Sequence, residues 1–160
     1  SDGTVTGGTI KSPGNIIQSV SQSFDAYGSD GSGLRADSGT YTDSGMEISI
    51  TPTVSTSKIL VISTGTSFGY KTSSDNVDYL MRLIADHSGI STLELRETEV
   101  RKTGEGSATS RLFDSWSMIA NHDHNTTNEI TYKVQHKTSA ATYAWARYKG
   151  GDMHLLEIAT

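Results

Sequence analysis

The apolar residues of this chain recur at alternate positions in short clusters, and that spacing restricts its fold more than any other feature. Met46, Ile48 and Ile50 alternate with Glu47 and Ser49, and the run stops at Pro52. Successive side chains of an extended strand point to opposite faces, so this pattern specifies a strand with one face buried. Ile59-Leu60-Val61-Ile62 is apolar without a break, as expected of a central strand covered on both faces. Val77, Tyr79, Met81, Leu83 and Ala85 again keep a period of two. Leu80, Leu83 and Ile84 would also suit one face of a helix. The strand is preferred because β-branched and aromatic neighbours surround the segment and no capping box precedes it. Further strands are expected at 16–24, 92–100, 112–120, 129–137, 142–147 and 154–159.

Composition supports strands over helices. The chain has 23 Ser, 21 Thr and 16 Gly in 160 residues, but only 2 Pro. Thr fits the pleated surface of a sheet, Gly and Ser fit turns, and none of the three suits a helix interior. The expected fold is therefore all-β: an antiparallel β-sandwich of eight or nine short strands, jelly-roll-like in topology. Residues 1–15 read as an extended lead-in ending near the turn signal Pro13-Gly14, and 16–160 as a single domain. The run Gly28 to Gly33 reads as a flexible loop, and Tyr70 to Asn76 as another.

Charge and cysteine content exclude several classes. The net charge is −5 and the basic residues are scattered, with Arg96, Arg101 and Lys102 interleaved with Glu97 and Glu99. Phosphate binding depends on clustered Lys and Arg, so nucleic acid is not an expected partner. No apolar run approaches the ~20 residues a spanning helix needs, and no membrane insertion is expected. The absence of Cys removes both a disulfide framework and thiolate metal sites.

Few residues suggest chemistry. Gly65-Thr66-Ser67-Phe68-Gly69 matches the G-x-S-x-G pattern, but a nucleophile elbow needs a helix directly after the Ser, and a β-rich chain of this length has no room for a hydrolase sheet with its helices. Ser67 reads as the Gly-flanked end of a central strand. His122-Asp123-His124 would place two imidazoles on one side of a strand, the start of a Zn or Ni site, but His87, His136 and His154 cannot be placed beside it from sequence. The cluster is expected at a solvated loop tip between Ala120 and Glu129. Glu97 and Glu99 share a face without apolar neighbours to raise a pKa, so they read as a solvated edge. His136 shares parity with Ile130, Tyr132 and Val134 and is expected to be a satisfied core histidine. Phe24, Trp116, Tyr132, Tyr143 and Trp145 read as packing residues, while Tyr27, Tyr41 and Tyr70 fall in or beside loops where a Tyr can contact sugar or protein. No catalytic residue, metal or cofactor is expected, and the chain does not read as an enzyme.

Two segments carry a family resemblance. One is Ile48-Ser49-Ile50-Thr51-Pro52-Thr53-Val54-Ser55-Thr56-Ser57-Lys58-Ile59-Leu60-Val61-Ile62, a strand, Thr-Pro, a Ser/Thr turn, Ser-Lys-Ile and a second strand. The other is Thr131-Tyr132-Lys133-Val134-Gln135, an Ala/Ser hairpin, and Leu156-Glu157-Ile158-Ala159. In this order they resemble virion structural and tail-fibre domains of marine and cyanobacterial tailed phages. The opening Thr9 to Gln18 is similar to the segment that joins such a domain to what precedes it. The middle, Phe68 to Asn128, departs from the pattern. The resemblance implies a structural domain on the virion surface: a homotrimeric fibre or tail-associated knob for host attachment. Its implied partners are copies of itself, other virion proteins, and a host surface glycan or protein. A capsid-decoration protein of the same fold and a bacterial lectin-like module are the alternatives. The candidate receptor contacts are Tyr27, Tyr70, His122, Asp123 and His124.

Overall fold

The computed structural model describes residues 13–25, 39–71, 77–87, 92–102, 110–139 and 144–160. Eight strands account for most of them: β1 (Ile16–Phe24), β2 (Thr42–Ile50), β3 (Lys58–Lys71), β4 (Val77–His87), β5 (Leu93–Lys102), β6 (Ser110–Asp123), β7 (Ile130–Thr138) and β8 (Ala144–Ile158). They form two four-stranded sheets, in the orders β1-β8-β3-β6 and β2-β7-β4-β5.

The pairing is nested. β1 pairs with β8, β2 with β7, β3 with β6 and β4 with β5, all antiparallel. This is the pattern of one long hairpin of four strand pairs rolled up on itself, with β8 also pairing β3 and β7 also pairing β4. The expected sandwich is thus present, and its order is that of a jelly roll.

Alternation decides what lies inside. From one sheet come Ile59 and Val61 of β3, Trp116 and Met118 of β6, and Met153 and Leu155 of β8; from the other come Met46, Ile48 and Ile50 of β2, Tyr79, Met81, Leu83 and Ala85 of β4, and Ile130, Tyr132 and Val134 of β7. Each inward row crosses its whole sheet, as in Val61 beside both Ala120 and Leu155. His136, in the same parity, is fully buried, and its Nδ1 lies 2.7 Å from the Tyr79 hydroxyl. Burial pushes its pKa down to about 4.

Three strand expectations are corrected. β3 continues through Tyr70 to Lys71, so the first residues assigned to a loop after Phe68 are paired strand, with Tyr70 opposite Arg111 and Trp145. Residues 72–76 lie outside the described residues, as do Tyr27 and the Gly28–Gly33 run. The two strands expected near the C-terminus are one strand, β8. The glycine pair Gly150-Gly151 inside β8 serves close approach: a Cβ on Gly151 would lie 2.2 Å from the Thr64 carbonyl oxygen and 2.9 Å from Gly65 Cα. Finally, β3 is central but not covered on both faces, for Leu60 and Ile62 on its outer side are only half-buried.

The two outer faces differ in character. On the β2-β7-β4-β5 sheet, Lys133 pairs with Glu47 and Asp86, at 3.8 and 3.4 Å, and Arg82 with Glu94 at 3.1 Å. Arg82 also donates to Gln135, which donates to Asp43. The Tyr41 ring lies near both cations, 4.1 Å from the Arg82 guanidinium and 4.2 Å from the Lys137 ammonium, and its hydroxyl donates to Glu97. Tyr41 is therefore engaged in packing on this face, and Glu97 and Glu99 are exposed as expected. The outer face of the β1-β8-β3-β6 sheet instead carries an aliphatic stripe. Leu60 lies beside Leu156, Ile62 beside Ile119, and Ile158 beside Ile16, with Ile119 and Ile16 each 59% exposed.

Candidate functional site

At one end of the sandwich the turn after β2, the connection after β6 and the end of β8 meet. The chemistry-bearing side chains of the described residues concentrate there. Parity brings them in: β6 continues the inward series Trp116, Met118, Ala120 with His122, and β8 continues Met153, Leu155 with Glu157. Both side chains lie beside Ile59 in one inward row.

Glu157 is fully buried, and its carboxylate is held by the turn that follows Pro52. The Thr53 N–H donates to both oxygens, at 2.9 and 3.0 Å, and the Val54 N–H to Oε1 at 3.0 Å. The Ser57 hydroxyl lies 2.6 Å from Oε1, and Gln18 Nε2 donates to Oε2 at 2.7 Å. Burial by itself pushes this carboxyl up, but the bonds from Ser57, Thr53, Val54 and Gln18 together outweigh it and hold the pKa below its usual value. A charged carboxylate with all its partners on two other segments works as a clamp. It ties β8 to β1 and to the β2–β3 turn.

The histidines adjoin this clamp. His124 Nε2 is 3.2 Å from Ser57 Oγ, and its Nδ1 is 2.8 Å from the Thr126 carbonyl. His122 Nδ1 is 2.8 Å from the Tyr132 hydroxyl of β7. His87, at the end of β4, stands edge-on to His122 with ring centroids 5.0 Å apart, and His122 stands 6.2 Å from His124. All three are buried. The expectation of a solvated loop tip is therefore corrected: His122 lies within β6 and both imidazoles face the interior, while the intervening Asp123 is exposed and pairs with Lys58 at 3.1 Å.

Two chemical readings of this cluster do not fit. Ser57, His124 and Glu157 have the composition of a hydrolytic triad, but here the carboxylate meets the serine directly rather than the imidazole, and the serine is buried. A triad requires the histidine between the two, taking the proton from the serine. Nor do the imidazoles converge, since His122 and His124 commit ring nitrogens to Tyr132, Ser57 and Thr126; among the described residues no group of three His, Asp or Glu is arranged to hold a metal. Ser67 is buried in β3, with its hydroxyl facing the Asp114 carbonyl.

Sequence reasoning missed Glu157, Ser57 and Gln18 as one cluster. The available signal was a carboxylate in the apolar parity of β8, four residues after Met153 and two after Leu155.

What fold and site define together is a jelly-roll β-sandwich closed at one end by a buried polar clamp. No protein-family model matches the sequence, and neither does any curated protein. Among solved structures, infectious bursal disease virus of the Gt strain is similar over 88% of this chain and 32% of that one, with 11% identity and a TM-score of 0.41. The Gx strain is similar over 90% and 33%, with 13% identity and a TM-score of 0.37. The chain spans about a third of the length of those proteins.

Proposed function

We propose that this chain is a virion structural domain of a tailed phage, a homotrimeric tail-fibre or tail-associated knob that presents its loops for host attachment. The observation that carries the reading is the difference between the two outer faces. One is laced with ion pairs whose carboxylates are exposed and whose cations are part-buried; such surface pairs add little stability and need no cover. The other displays Leu60, Ile62, Ile119, Leu156 and Ile158 across neighbouring strands, an apolar surface of the kind that association buries. Packing three copies through the β1-β8-β3-β6 sheets would cover that stripe and leave the charged faces outward.

The sequence resemblance adds its own support. Its two segments map onto β2–β3, β7 and the end of β8, which are framework, including the turn that clamps Glu157. Jelly rolls are a recurrent architecture of viral coat and lectin domains, which is support by analogy of fold. Attachment then belongs to the loops. Asp123 remains a candidate contact by its exposure, and Tyr27 and Tyr70 remain candidates on the sequence alone, whereas His122 and His124 are better read as internal.

Gold-labelled antibody against the domain, imaged on the phage that encodes it, tests the reading. Label at fibre or tail tips is expected. Label over the capsid faces would replace it with a decoration role, and no label on the particle would overturn a virion role altogether.

A further inference from the structure

We propose that His87, His122 and His124 form an acid-sensitive latch: mild acidification opens the end of the sandwich where β4, β6 and β7 meet, while the opposite sheet rows stay paired. The inference does not rest on the virion reading, since it concerns only the interior of one domain.

The geometry gives a second proton nowhere to go. His87 Nδ1 is buried and has no hydrogen-bond partner among the described residues. A proton added there would be a buried charged donor without an acceptor, which is strongly unfavourable. His122 spends Nδ1 on the Tyr132 hydroxyl, a neutral group whose own ionisation burial pushes far up. That hydroxyl can balance a cation only as a dipole. Two of the three rings have centroids 5.0 Å apart and the next pair 6.2 Å, so a first charge opposes a second.

Among the described residues, the charged groups around the cluster do not offset this. From β4 the neighbouring acid is Asp86, on the outer face and paired with Lys133; from β6 it is Asp123, exposed and paired with Lys58. From β7 the facing group is Tyr132. From β8 it is Glu157, already saturated by Ser57, Thr53, Val54 and Gln18, with Ser57 standing between it and His124. Burial, then repulsion from His87 and His124, lowers the His122 pKa from 6.5 to about 4, and burial with repulsion from His124 lowers that of His87.

The sign follows. A histidine whose folded pKa is depressed binds its proton more tightly once released, so acid favours the open form below the free value of 6.5. With 6.5 and about 4 as the two values, the opening constant for His122 alone rises about twentyfold between pH 7 and pH 5.

Hydrogen exchange on the whole chain at pH 7 and pH 5, corrected for intrinsic rates, reads this directly. Amides at 84–87, 121–124 and 130–132 are expected to lose protection by about that factor, and those at 62–64 and 153–155 to change much less. The pair His87→Asn and His122→Asn should abolish the selective loss, while His136→Asn, at the other end of the core, should leave it intact. Uniform change across the sheets, or selective loss surviving in the His87→Asn/His122→Asn variant, would overturn the proposal. Should that variant fail to fold, NMR titration of the wild-type imidazoles decides. His122 and His87 titrating only with the opening supports the latch; ordinary titration in the closed domain overturns it.

Discussion

Replacing Glu157 by Gln tests whether the buried carboxylate holds the sandwich end together or merely occupies it. The amide keeps the size and one carbonyl oxygen, but it loses the charge and turns one acceptor into a donor. Four donors now reach the group: the N–H of Thr53, the N–H of Val54, the Ser57 hydroxyl and Gln18 Nε2. At most two can stay satisfied by the remaining oxygen, and the new NH2 would face others as donor against donor. Hydrogen bonds to a charged group contribute about 1.5–3 kcal/mol each, and a buried donor left unpaired costs about 1–3 kcal/mol. Allowing for relaxation of the part-buried Gln18 contact, the loss should be about 2–4 kcal/mol. For a chain of this length that corresponds to a fall in Tm of about 5–15 °C.

The pH dependence sharpens the test. The folded pKa of Glu157 lies below its ordinary 4.5, so its contribution is complete above 4.5 and fades as pH falls through the folded value. The gap between wild type and Glu157→Gln in urea denaturation should therefore be widest at neutral pH and narrow in acid. The histidines are common to both proteins and cancel in that difference. A loss of less than about 0.5 kcal/mol at pH 7, the range of an ordinary surface change, would refute the clamp. So would a gap that stays constant down to pH 3.

Three further outcomes follow from the same packing. Gly151→Ala would drive a methyl into the Thr64 carbonyl at 2.2 Å, where the neighbouring backbone cannot give way, and should cost several kcal/mol or leave the protein insoluble on expression. Tyr132→Phe removes the hydroxyl facing His122 Nδ1 and should cost about 1–3 kcal/mol by urea denaturation, with far-UV circular dichroism unchanged. Ile119→Glu sits on the exposed side of β6 and should leave the monomer fold and its circular dichroism intact while abolishing self-association in light scattering.

Much of this fold is legible in the sequence because the period of two is a direct consequence of strand geometry. Met46-Ile48-Ile50, Val77 to Ala85 and Ile130 to His136 show their buried face residue by residue, and the central place of Ile59 to Ile62 follows from an unbroken apolar run. What misled was local chemistry overruling parity. His122 and His124 look solvated beside Asp123 and Asn125, yet His122 simply extends the inward series from Trp116. The two strands expected at 142–147 and 154–159 are one because Gly150-Gly151 lets β8 run close to the β3 backbone, a contact that no local pattern encodes. The Glu157 site was legible only in part. Its parity could be read, but its partners Gln18, Thr53, Val54 and Ser57 come from segments far apart in sequence, and only the nested pairing of β1, β3 and β8 brings them together.

The proposed trimer, packed through the apolar outer sheet, is tested most directly by mass in solution. Sedimentation equilibrium of the purified chain at micromolar concentration should return three times the 17.2 kDa chain mass, with Ile119→Glu returning a single chain. A wild-type protein that sediments at 17.2 kDa under those conditions would contradict it.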